Sequence, residues 1–431
     1  MKPGYKQTEV GVIPEEWKCT TVRGIASRAR NAIVGGPFGS DLVSRDYVEH
    51  GVPVIRGQNM SGQWVSGSFV FVTPAKAKSL EANLARPGDI VFTQRGTLGQ
   101  VSLVPPQPFE SYLVSQSQMK LSVNREAADS VFFFYVFTSE EQQELIRGGT
   151  IQTGVPHLNL GILRGIPVQL PPLPEQRAIA TALSDVDGLL GGLDRLIAKK
   201  RDLKQAAMQQ LLTGQTRLPG FHEQWEVQRL DALADIRSGG TPSTGEPRFW
   251  DGDVPWCTPT DITTLNGHKY LGETARMITQ LGLKASSAEM IPAHSVVMTS
   301  RATIGECAIN AVPVSTNQGF KNFVPFATTD VDFLYYLLVT QKQGFVSLCG
   351  GSTFLEIGKT QLTAYEVRLP RTKAEQTGIA AVLSDMDAEL TALEQRRAKT
   401  RALKQGMMQE LLTGRTRLVS PGVAAHTAVK P

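Results

Sequence analysis

Apolar and polar residues recur with a helical period in two separate stretches of the chain. In both, apolar residues follow one another in alternating steps of four and three, which places them in one stripe along an α-helix. Pro174 suits a first helical turn, and Gly214 and Gly414 suit C-terminal ends. At about 1.5 Å per residue, each helix is predicted to be roughly 60 Å long. The stripes comprise Ile179, Leu183, Val186, Leu190, Leu193 and Ile197 in one stretch and Ile379, Leu383, Met386, Leu390 and Leu393 in the other.

The two helical stretches are copies of one another. LKQAAMQQLLTGQTRL at 203–218 and LKQGMMQELLTGRTRL at 403–418 agree at 12 of 16 positions. The match continues backward at a constant offset of 200 residues to the Glu-Gln pairs at 175–176 and 375–376. Such self-similarity indicates an internal duplication. Periodicity alone also fits a long core helix, but two seams of equal length favour a two-helix coiled coil within one chain.

The remaining segments predict two globular domains. Both contain short alternating runs between turns rich in Gly, Pro, Ser and Thr, a pattern typical of short strands. They are distant copies, since VPVIRGQNM at 52–60 parallels VPWCTPTDI at 254–262, and TQRGTLG at 93–99 parallels TSRATIG at 299–305. The predicted order is a domain at 1–170, a long helix at 171–218, a second domain at 219–370, a second helix at 371–418 and a disordered tail at 419–431.

Composition narrows the functional class. A chain of 431 residues with 41% hydrophobic and 19% charged residues is typical of a soluble protein with more than one domain. The four cysteines have no paired spacing and the six histidines are scattered, so the sequence predicts neither a metal site nor a disulfide framework. Residues 1–17 contain no apolar core, and the longest apolar run, VFFFYVF at 131–137, is too short to span a bilayer. We therefore expect a cytoplasmic protein.

Motifs that would indicate catalysis do not fit. LEIGKT at 355–360 ends like a phosphate-binding loop but has Thr353 where a glycine is needed. The glycines of IVGGPFGS at 33–40 do not match the dinucleotide fingerprint. The Asn-Pro-Pro-aromatic tetrapeptide of amino-methyltransferases does not occur. The sequence predicts no catalytic residue and no cofactor bound by this chain, which is not an enzyme by itself.

Two divergent domains, each followed by a near-identical helix, resemble the specificity subunit of type I restriction-modification systems. The resemblance covers essentially the whole chain. Its strongest elements are LPPLPEQRAIATALSDVDGLL at 170–190, LSDMDAEL at 383–390 and SGGTPS at 238–243. It implies an α+β fold with two similar mixed α/β target recognition domains, separated by two long helices that form an intramolecular antiparallel coiled coil.

The resemblance also implies partners. Each domain would read one half of an interrupted, asymmetric target in double-stranded DNA, and the paired helices would set the spacer between the halves. Two copies of a methyltransferase (modification) subunit would be recruited by the matching helices and would methylate adenine with S-adenosylmethionine. A restriction subunit would add translocation and cleavage that require ATP and Mg²⁺.

Comparison of the two domains separates two kinds of candidate DNA contact. Side chains that both domains share do not distinguish the half-sites, so the Arg and Thr of TQRGTLG and TSRATIG are assigned to phosphate contacts or scaffold. Polar stretches that differ, RGQNMSGQW at 56–64 and PTDITTLNGHKY at 259–270, are candidates for base edges. A plain surface turn with solvated side chains is the alternative for both. The predicted DNA-binding residues are Arg56, Gln58, Asn59, Gln94, Arg95, Thr97, Gln116 and Gln118 in the first domain and Thr241, Thr260, Asp261, Thr263, Thr264, Arg301, Thr303, Asn317, Gln318 and Lys321 in the second.

Charge qualifies the DNA hypothesis. Residues 1–170 carry a net charge of +2 and residues 219–370 a net charge of −4, so the second domain lacks the basic surface of an independent DNA-binding domain. We expect the isolated chain to bind DNA weakly and partner subunits to add affinity. The rival hypothesis is a tandem-repeat adaptor that joins two identical proteins without reading DNA. Charged substitutions at Leu190 and Leu390 would break the coiled coil under both hypotheses, whereas exchange of 219–370 would change DNA specificity only under the first.

Overall fold

Two compact units make up the protein in a computed structural model that describes residues 3–148, 157–349 and 355–419. The first unit contains the described residues of Met1–Leu193 and Arg396–Pro431, and the second unit consists of Asp194–Gln395. Each unit combines one globular domain with the first half of the long helix that follows it and the last half of the other long helix. Apart from Val419, the predicted tail at 419–431 lies outside the described residues.

The first unit contains two main sheets. Its strands are β1 (Tyr5–Thr8), β2 (Gly11–Pro14), β3 (Lys18–Thr21), β4 (Ile33–Gly35), β5 (Tyr47–Val48), β6 (Val52–Ile55), β7 (Val70–Val72), β8 (Leu84–Ala85), β9 (Ile90–Thr93), β10 (Val101–Leu103), β11 (Tyr112–Val114), β12 (Gln118–Leu121) and β13 (Pro167–Leu170). One sheet has the order β10-β9-β12-β4 and the other β5-β7-β6-β11-β8, in which β6 and β11 are parallel. Two-stranded sheets pair β1 with β2 and β13 with β3.

Helices of the first unit are short except for the last. They are α1 (Val22–Ile25), α2 (Pro74–Ser79), α3 (Ser130–Thr138), α4 (Glu140–Gly148), α5 (Leu160–Gly165) and the first half of α6 (Leu173–Leu211), with 3-10 turns at Gly39–Asp41, Ser44–Asp46, Gly57–Asn59 and Glu81–Asn83. The apolar run VFFFYVF forms most of α3, whose residues from Phe132 to Phe137 are all buried. This helix packs over β10 and β9 in the largest core cluster of the unit.

The second unit repeats this arrangement. Its strands are β14 (Glu226–Arg229), β15 (Ala234–Ser238), β16 (Trp250–Cys257), β17 (Tyr270–Leu271), β18 (Arg276–Ile278), β19 (Val296–Thr299), β20 (Cys307–Asn310), β21 (Ser315–Thr316), β22 (Phe320–Pro325) and β23 (Glu366–Leu369). The order β15-β22-β19-β20-β17 corresponds to β4-β12-β9-β10, and β18-β16-β21 corresponds to β7-β6-β11, again with one parallel pair. Strand β14 pairs with β23.

Helices of the second unit follow the same plan. They are α7 (Pro259–Thr263), α8 (Gln280–Lys284), α9 (Val331–Thr340), α10 (Lys342–Ser347), α11 (Lys359–Thr363) and the first half of α12 (Lys373–Leu412), with 3-10 turns at Leu230–Ala232 and Pro247–Phe249. Helix α9 is the counterpart of α3 and is likewise buried against the sheet, through the residues from Phe333 to Leu338. The duplication read from the sequence therefore extends to the packing of each domain.

The two long helices are paired antiparallel inside each unit. In the second unit Lys200 Nζ lies 2.7 Å from Glu389 Oε1, and Lys204, one turn later on α6, binds Asp387, earlier on α12. In the first unit Lys404 Nζ lies 2.7 Å from Asp187 Oδ1. The predicted α+β fold with two domains and an antiparallel pair of long helices is confirmed.

The apolar stripe has two partners rather than one. Ile179 and Leu183 are fully buried in the core of the first domain, together with Met408, Leu411 and Leu412 from the end of α12. The apolar stripe of each helix was predicted to pack against the twin helix. Near its start, each long helix also packs against its own domain, where α3 or α9 contributes apolar residues to the same core cluster. The equivalent residues of the second unit are Ile379, Leu383, Met208, Leu211 and Leu212. The other seam positions are buried at Leu193, Ile197 and Leu390 and half-buried at Val186, Leu190, Met386 and Leu393.

A buried glutamate at the start of each long helix binds a tryptophan and an arginine. In the first unit Trp17 donates its indole N–H to Glu175 Oε2 at 2.9 Å, and Arg417 donates two hydrogen bonds to the same carboxylate. The Arg417 guanidinium lies 5.7 Å from the centroid of the Trp17 ring. We call this group the Trp–Glu–Arg clamp. Its counterpart in the second unit consists of Trp225, Glu375 and Arg217, joined at 3.1, 2.6 and 2.8 Å.

The sixteen-residue repeat ends in a turn, not in helix. Helices α6 and α12 end at Leu211 and Leu412, before the predicted ends at 218 and 418. Gly214 and Gly414 then adopt φ values of 74° and 70°, a left-handed conformation that terminates helices and favours glycine. A Cβ on Gly414 would lie 2.6 Å from Pro14, so only glycine lets the turn reach the first domain. The turn delivers the clamp arginine three residues later.

A tyrosine of the aromatic helix ties each domain to both long helices. Tyr135 donates to Asp187 Oδ2 at 2.8 Å, and Lys404, which neutralises the same carboxylate, lies 5.2 Å from the centroid of the Tyr135 ring. Burial raises the pKa of Tyr135, so its hydroxyl stays protonated and donates. The equivalent residues of the second unit are Tyr336, Asp387 and Lys204.

Candidate nucleic-acid interface

Five chain segments of the first domain meet around the turn that joins β9 and β10. Backbone hydrogen bonds connect this turn, residues 94–100, to the turn before β12 and to the segment before α5. The start of β12 and the turn before it are bonded in the same way to the glycine-rich loop after β4 and to the end of β6, where the next loop begins. We call these five segments the loop cluster. The bonds are Gln94 N to Ser117 O at 2.7 Å, Leu158 N to Gln94 O at 3.0 Å, Ser115 N to Ile55 O at 3.0 Å and Gly36 N to Gln118 O at 2.8 Å.

The second domain has the same loop cluster around the turn at 300–306. Each bond of the first domain has a counterpart, displaced by about 200 residues, and only the bond of the glycine-rich loop is clearly longer in the second domain. The bonds are Ser300 N to Gly319 O at 2.7 Å, Ile357 N to Ser300 O at 3.1 Å, Asn317 N to Cys257 O at 3.0 Å and Gly239 N to Phe320 O at 3.5 Å. Both domains therefore build one backbone scaffold at this position.

One glycine in each cluster is required by close packing. A Cβ on Gly36 would lie 1.9 Å from the carbonyl oxygen of Ser115, and a Cβ on Gly239 would lie 1.9 Å from that of Asn317. No side chain fits at these distances. The contact aligns GPF at 36–38 with GGT at 239–241, so that Gly36 matches Gly239 and Phe38 matches Thr241.

The two loop clusters share an arginine that was predicted to contact the DNA backbone. Arg95 and Arg301 are both exposed at the tips of equivalent turns. They differ in their surroundings, because Arg301 Nε lies 2.9 Å from Glu356 Oε2, whereas the segment opposite Arg95 carries His157. The acidic neighbour gives the second cluster a weaker positive charge, in line with the negative charge of its domain.

Four of the predicted DNA-binding residues are buried in their own domains. Asn59 accepts a hydrogen bond from Arg56 N at 3.1 Å and donates to two carbonyl oxygens, so its amide holds its own turn. Asp261 is its counterpart and accepts from Thr258 N at 2.7 Å. Gln118 is 1% exposed, and burial lowers the pKa of Lys321. The burial of these side chains favours a scaffold role, and their contact with DNA stays a prediction.

The remaining predicted residues are accessible. The structure brings most of them to the two loop clusters, and their contact with DNA stays a prediction. Exposed residues are Gln58, Arg95, Thr97, Gln116, Thr260, Thr263, Thr264, Arg301 and Gln318, and half-buried residues are Arg56, Gln94, Thr241, Thr303 and Asn317.

Groups that would support metal or thiol chemistry were not found at the loop clusters. In residues 3–148, 157–349 and 355–419, no three His, Cys, Asp or Glu residues lie close enough to hold a metal ion. Burial raises the pKa of the Cys257 and Cys307 thiols, which makes both unreactive. Within the described part of the chain, no helix is long and apolar enough to cross a membrane.

Comparison with known proteins supports the duplicated architecture. The sequence profile described as "Type I restriction modification DNA specificity domain" matches twice, at residues 40–197 and 222–401. These matches cover most of the chain and contain the second loop cluster and all of the first except its glycine-rich loop, which ends just before residue 40. The chain belongs to the DNA specificity subunits of type I restriction-modification systems. This assignment favours the DNA hypothesis over the adaptor hypothesis for the duplicated helices.

Individual relatives agree with the assignment. The MjaIX specificity subunit of Methanocaldococcus jannaschii is 36% identical to this specificity subunit over 165 residues, which is 38% of each chain. The putative MjaX specificity subunit of the same organism is 23% identical over 96% of this chain and 97% of its own. The solved HsdS subunit from Thermoanaerobacter tengcongensis has a TM-score of 0.51 at 18% identity and covers 94% of this chain and 98% of its own. A structure titled for complex assembly of the type I R-M system has a TM-score of 0.60 at 19% identity over 94% of this chain and 99% of its own.

Proposed function

We propose that this specificity subunit reads an interrupted sequence in double-stranded DNA, with one half read by each globular domain. The proposal rests on a contrast between the two loop clusters. Their backbone scaffolds are equivalent bond for bond, but the side chains at equivalent positions differ, since Gln58 and Phe38 in the first domain correspond to Thr260 and Thr241 in the second. Equal scaffolds with unequal side chains are suited to reading two different half-sites with one geometry.

The helices, in contrast, present the same residues twice. Each unit contains one Trp–Glu–Arg clamp and one Tyr–Asp–Lys group at equivalent positions. Two units whose helices are held in the same way fit two copies of one partner, which we propose to be a methyltransferase subunit that methylates adenine with S-adenosylmethionine. The helices would set the spacer, and a restriction subunit would bring ATP- and Mg²⁺-dependent activity. This chain would contribute no catalytic group.

The proposal is tested by co-expressing the chain with the methyltransferase subunit encoded beside it in a host without DNA methylation. Modified adenines are then mapped across the genome by single-molecule sequencing. We expect one two-part motif with a spacer of constant length. A stable complex of the two proteins that leaves no modified motif would count against the proposal.

The turns at 94–100 and 300–306, which carry Arg95 and Arg301 and which we call the arginine turns, are expected to contribute DNA affinity without sequence specificity. In the complex with the methyltransferase subunits, Arg95→Ala should weaken binding to all DNA sequences alike. It should also lower the slope of log Kd against log salt by about 1, because one phosphate contact releases about one counterion. Arg301→Ala should have a smaller effect, since Glu356 already offsets its charge.

Arg248→Ala is the matched control for the arginine turns. Arg248 is exposed and paired with Glu246 outside the loop cluster, so its loss should leave the salt slope unchanged. Titrations at several salt concentrations measure both quantities. If the Arg95 variant altered the methylated motif rather than the affinity, Arg95 would be a base-reading residue and the phosphate assignment would be wrong.

A further inference from the structure

Phe38 is the most exposed large apolar side chain in the described part of the protein. It is 75% exposed, whereas Phe326, an exposed phenylalanine elsewhere, is 44% exposed. Single exposed apolar residues are common and need no explanation in isolation. The position of Phe38, between Pro37 and Gly39 in the glycine-rich loop of the first loop cluster, makes it informative.

The loop holds Phe38 outward through fixed backbone contacts on both sides. Before it, Gly36 packs against the Ser115 carbonyl and Pro37 is buried. After it, the Gln116 side chain donates to Gly39 O at 2.6 Å and to Leu42 O at 2.8 Å. A further anchor is Asn83 Nδ2, which donates to Gly35 O at 2.7 Å. The ring is therefore presented by a rigid loop rather than left on a loose one.

The loop cluster that carries the exposed ring also carries exposed polar and cationic side chains. Its glycine-rich loop lies next to the turn at 94–100, since a Cβ on Gly35 would lie 3.2 Å from Gln94 Oε1. Arg95 and Gln116, both exposed, belong to the same cluster. A cluster that combines an aromatic ring with cationic and amide groups suits a nucleic-acid partner, whose phosphates pair with the cation and whose bases stack on the ring.

The second domain offers an internal comparison. Thr241 occupies the position of Phe38, and its hydroxyl donates to Gln318 Oε1, the counterpart of the amide that anchors the first loop. Thr241 is half-buried and its loop carries no aromatic residue at this position. Equivalent scaffolds thus carry an exposed ring in one domain and a small, internally bonded side chain in the other.

We propose that Phe38 wedges into a base step of the half-site read by the first domain and partly unstacks it. The inference rests on the proposed DNA-reading function and adds a distortion to it. Phenylalanine is one of the side chains that proteins insert between base pairs to bend DNA. The second half-site remains undistorted, so the two halves of one target are bound by different means.

The experiment uses the complex with the methyltransferase subunits and duplexes that contain the mapped motif. 2-Aminopurine, which fluoresces more when unstacked, is placed at successive positions in each half-site. The wild-type complex should raise fluorescence at one step of the first half-site only. Phe38→Ala should abolish the increase and weaken binding about tenfold, while Phe38→Trp should retain both properties. Phe326→Ala is the control for loss of an exposed phenylalanine.

Each result decides the inference. Unchanged fluorescence and affinity in Phe38→Ala would overturn the wedge, while a two-part motif modified by the wild type would leave the proposed function standing. Loss of the methyltransferase subunit from the Phe38→Ala complex on gel filtration would assign the ring to a protein contact and would also overturn it. Because Phe38 is exposed, the variant should melt at the wild-type temperature, so a fall in binding reports the DNA contact.

Discussion

Glu175→Ala is expected to destabilise the first unit by about 3 kcal/mol, because it leaves the Arg417 guanidinium and the Trp17 indole N–H without their shared acceptor. Glu175 is 1% exposed, so water does not replace the lost bonds. Of its two ion pairs in the described part of the chain, Arg417 retains the one with Glu16, which is more exposed. Urea denaturation measures the loss, and hydrogen exchange by mass spectrometry locates it, with faster exchange expected in 5–21 and 404–418.

Three variants make the clamp experiment specific. Glu175→Gln keeps an acceptor for Trp17 and should lose less stability than Glu175→Ala. Glu375→Ala should destabilise the second unit by a similar amount and leave exchange in the first unit unchanged. Arg415→Ala, which removes an exposed arginine two residues from Arg417, should have no measurable effect. Wild-type exchange in 404–418 of Glu175→Ala would show that the clamp does not hold the end of α12.

Exchange of the second domain is expected to replace one half of the methylated motif and preserve the other. Strands β14 and β23 are paired neighbours, so the chain enters and leaves the domain at one place. Exchange of residues 230–365 retains both strands and the clamp. The donor must supply a tyrosine for Asp387, since Tyr336 lies inside the exchanged segment. Modification of the original motif should fall at least about 100-fold, because each wrong base pair costs about 1–3 kcal/mol.

Single-molecule sequencing of the host genome measures the result of the exchange. Arg301→Ala serves as the comparison, since it should reduce modification without changing the motif. A chimera that assembles with the methyltransferase subunit and still methylates the original motif would show that the second domain does not read DNA. A changed first half would show that the two domains do not act separately.

The helices were predictable because their information is local and repeated. Steps of four and three define the stripe of α6 and α12, and the constant offset fixes where each copy begins. Their ends were marked in the sequence by Gly214 and Gly414, whose left-handed φ values redirect the chain. The double role of Leu183 and Leu383 was hidden, because a stripe shows that a face is buried and not what covers it.

The candidate interface was only partly predictable. Alignment of 52–60 with 254–262 correctly paired the two loops, and the structure matches Asn59 with Asp261 at equivalent capping positions. Sequence alone could not show that these polar groups are used by their own turns. The residue types suggested base reading, whereas Asn59 and Asp261 use their side-chain donors and acceptors in hydrogen bonds to the nearby backbone. Phe38 was missed for the opposite reason, since a lone aromatic residue beside glycines has no periodic pattern.

The sequence contains every part of the Trp–Glu–Arg clamp twice but does not show which copies meet. Tryptophan in PEEW and HEQW, the Glu-Gln pair and the TRL ending all occur twice in the sequence. Each clamp joins three of these motifs, yet Glu175 and Arg417 are 242 residues apart. One sequence does not reveal which distant copies meet, and the simplest guess would have paired Glu175 with the nearer Arg217.

The ribosome completes the two units in an unusual order. The second unit is one continuous stretch, whereas the first needs both Met1–Leu193 and Arg396–Pro431. Domains of one chain usually fold on the ribosome in the order of their synthesis, with the N-terminal domain first. Here the N-terminal domain must wait with an uncovered core face until Met408 and Leu411 emerge, while the domain encoded after it already has all its parts. Nascent chains released early would therefore carry a finished second unit and a first unit exposed to chaperones and proteases.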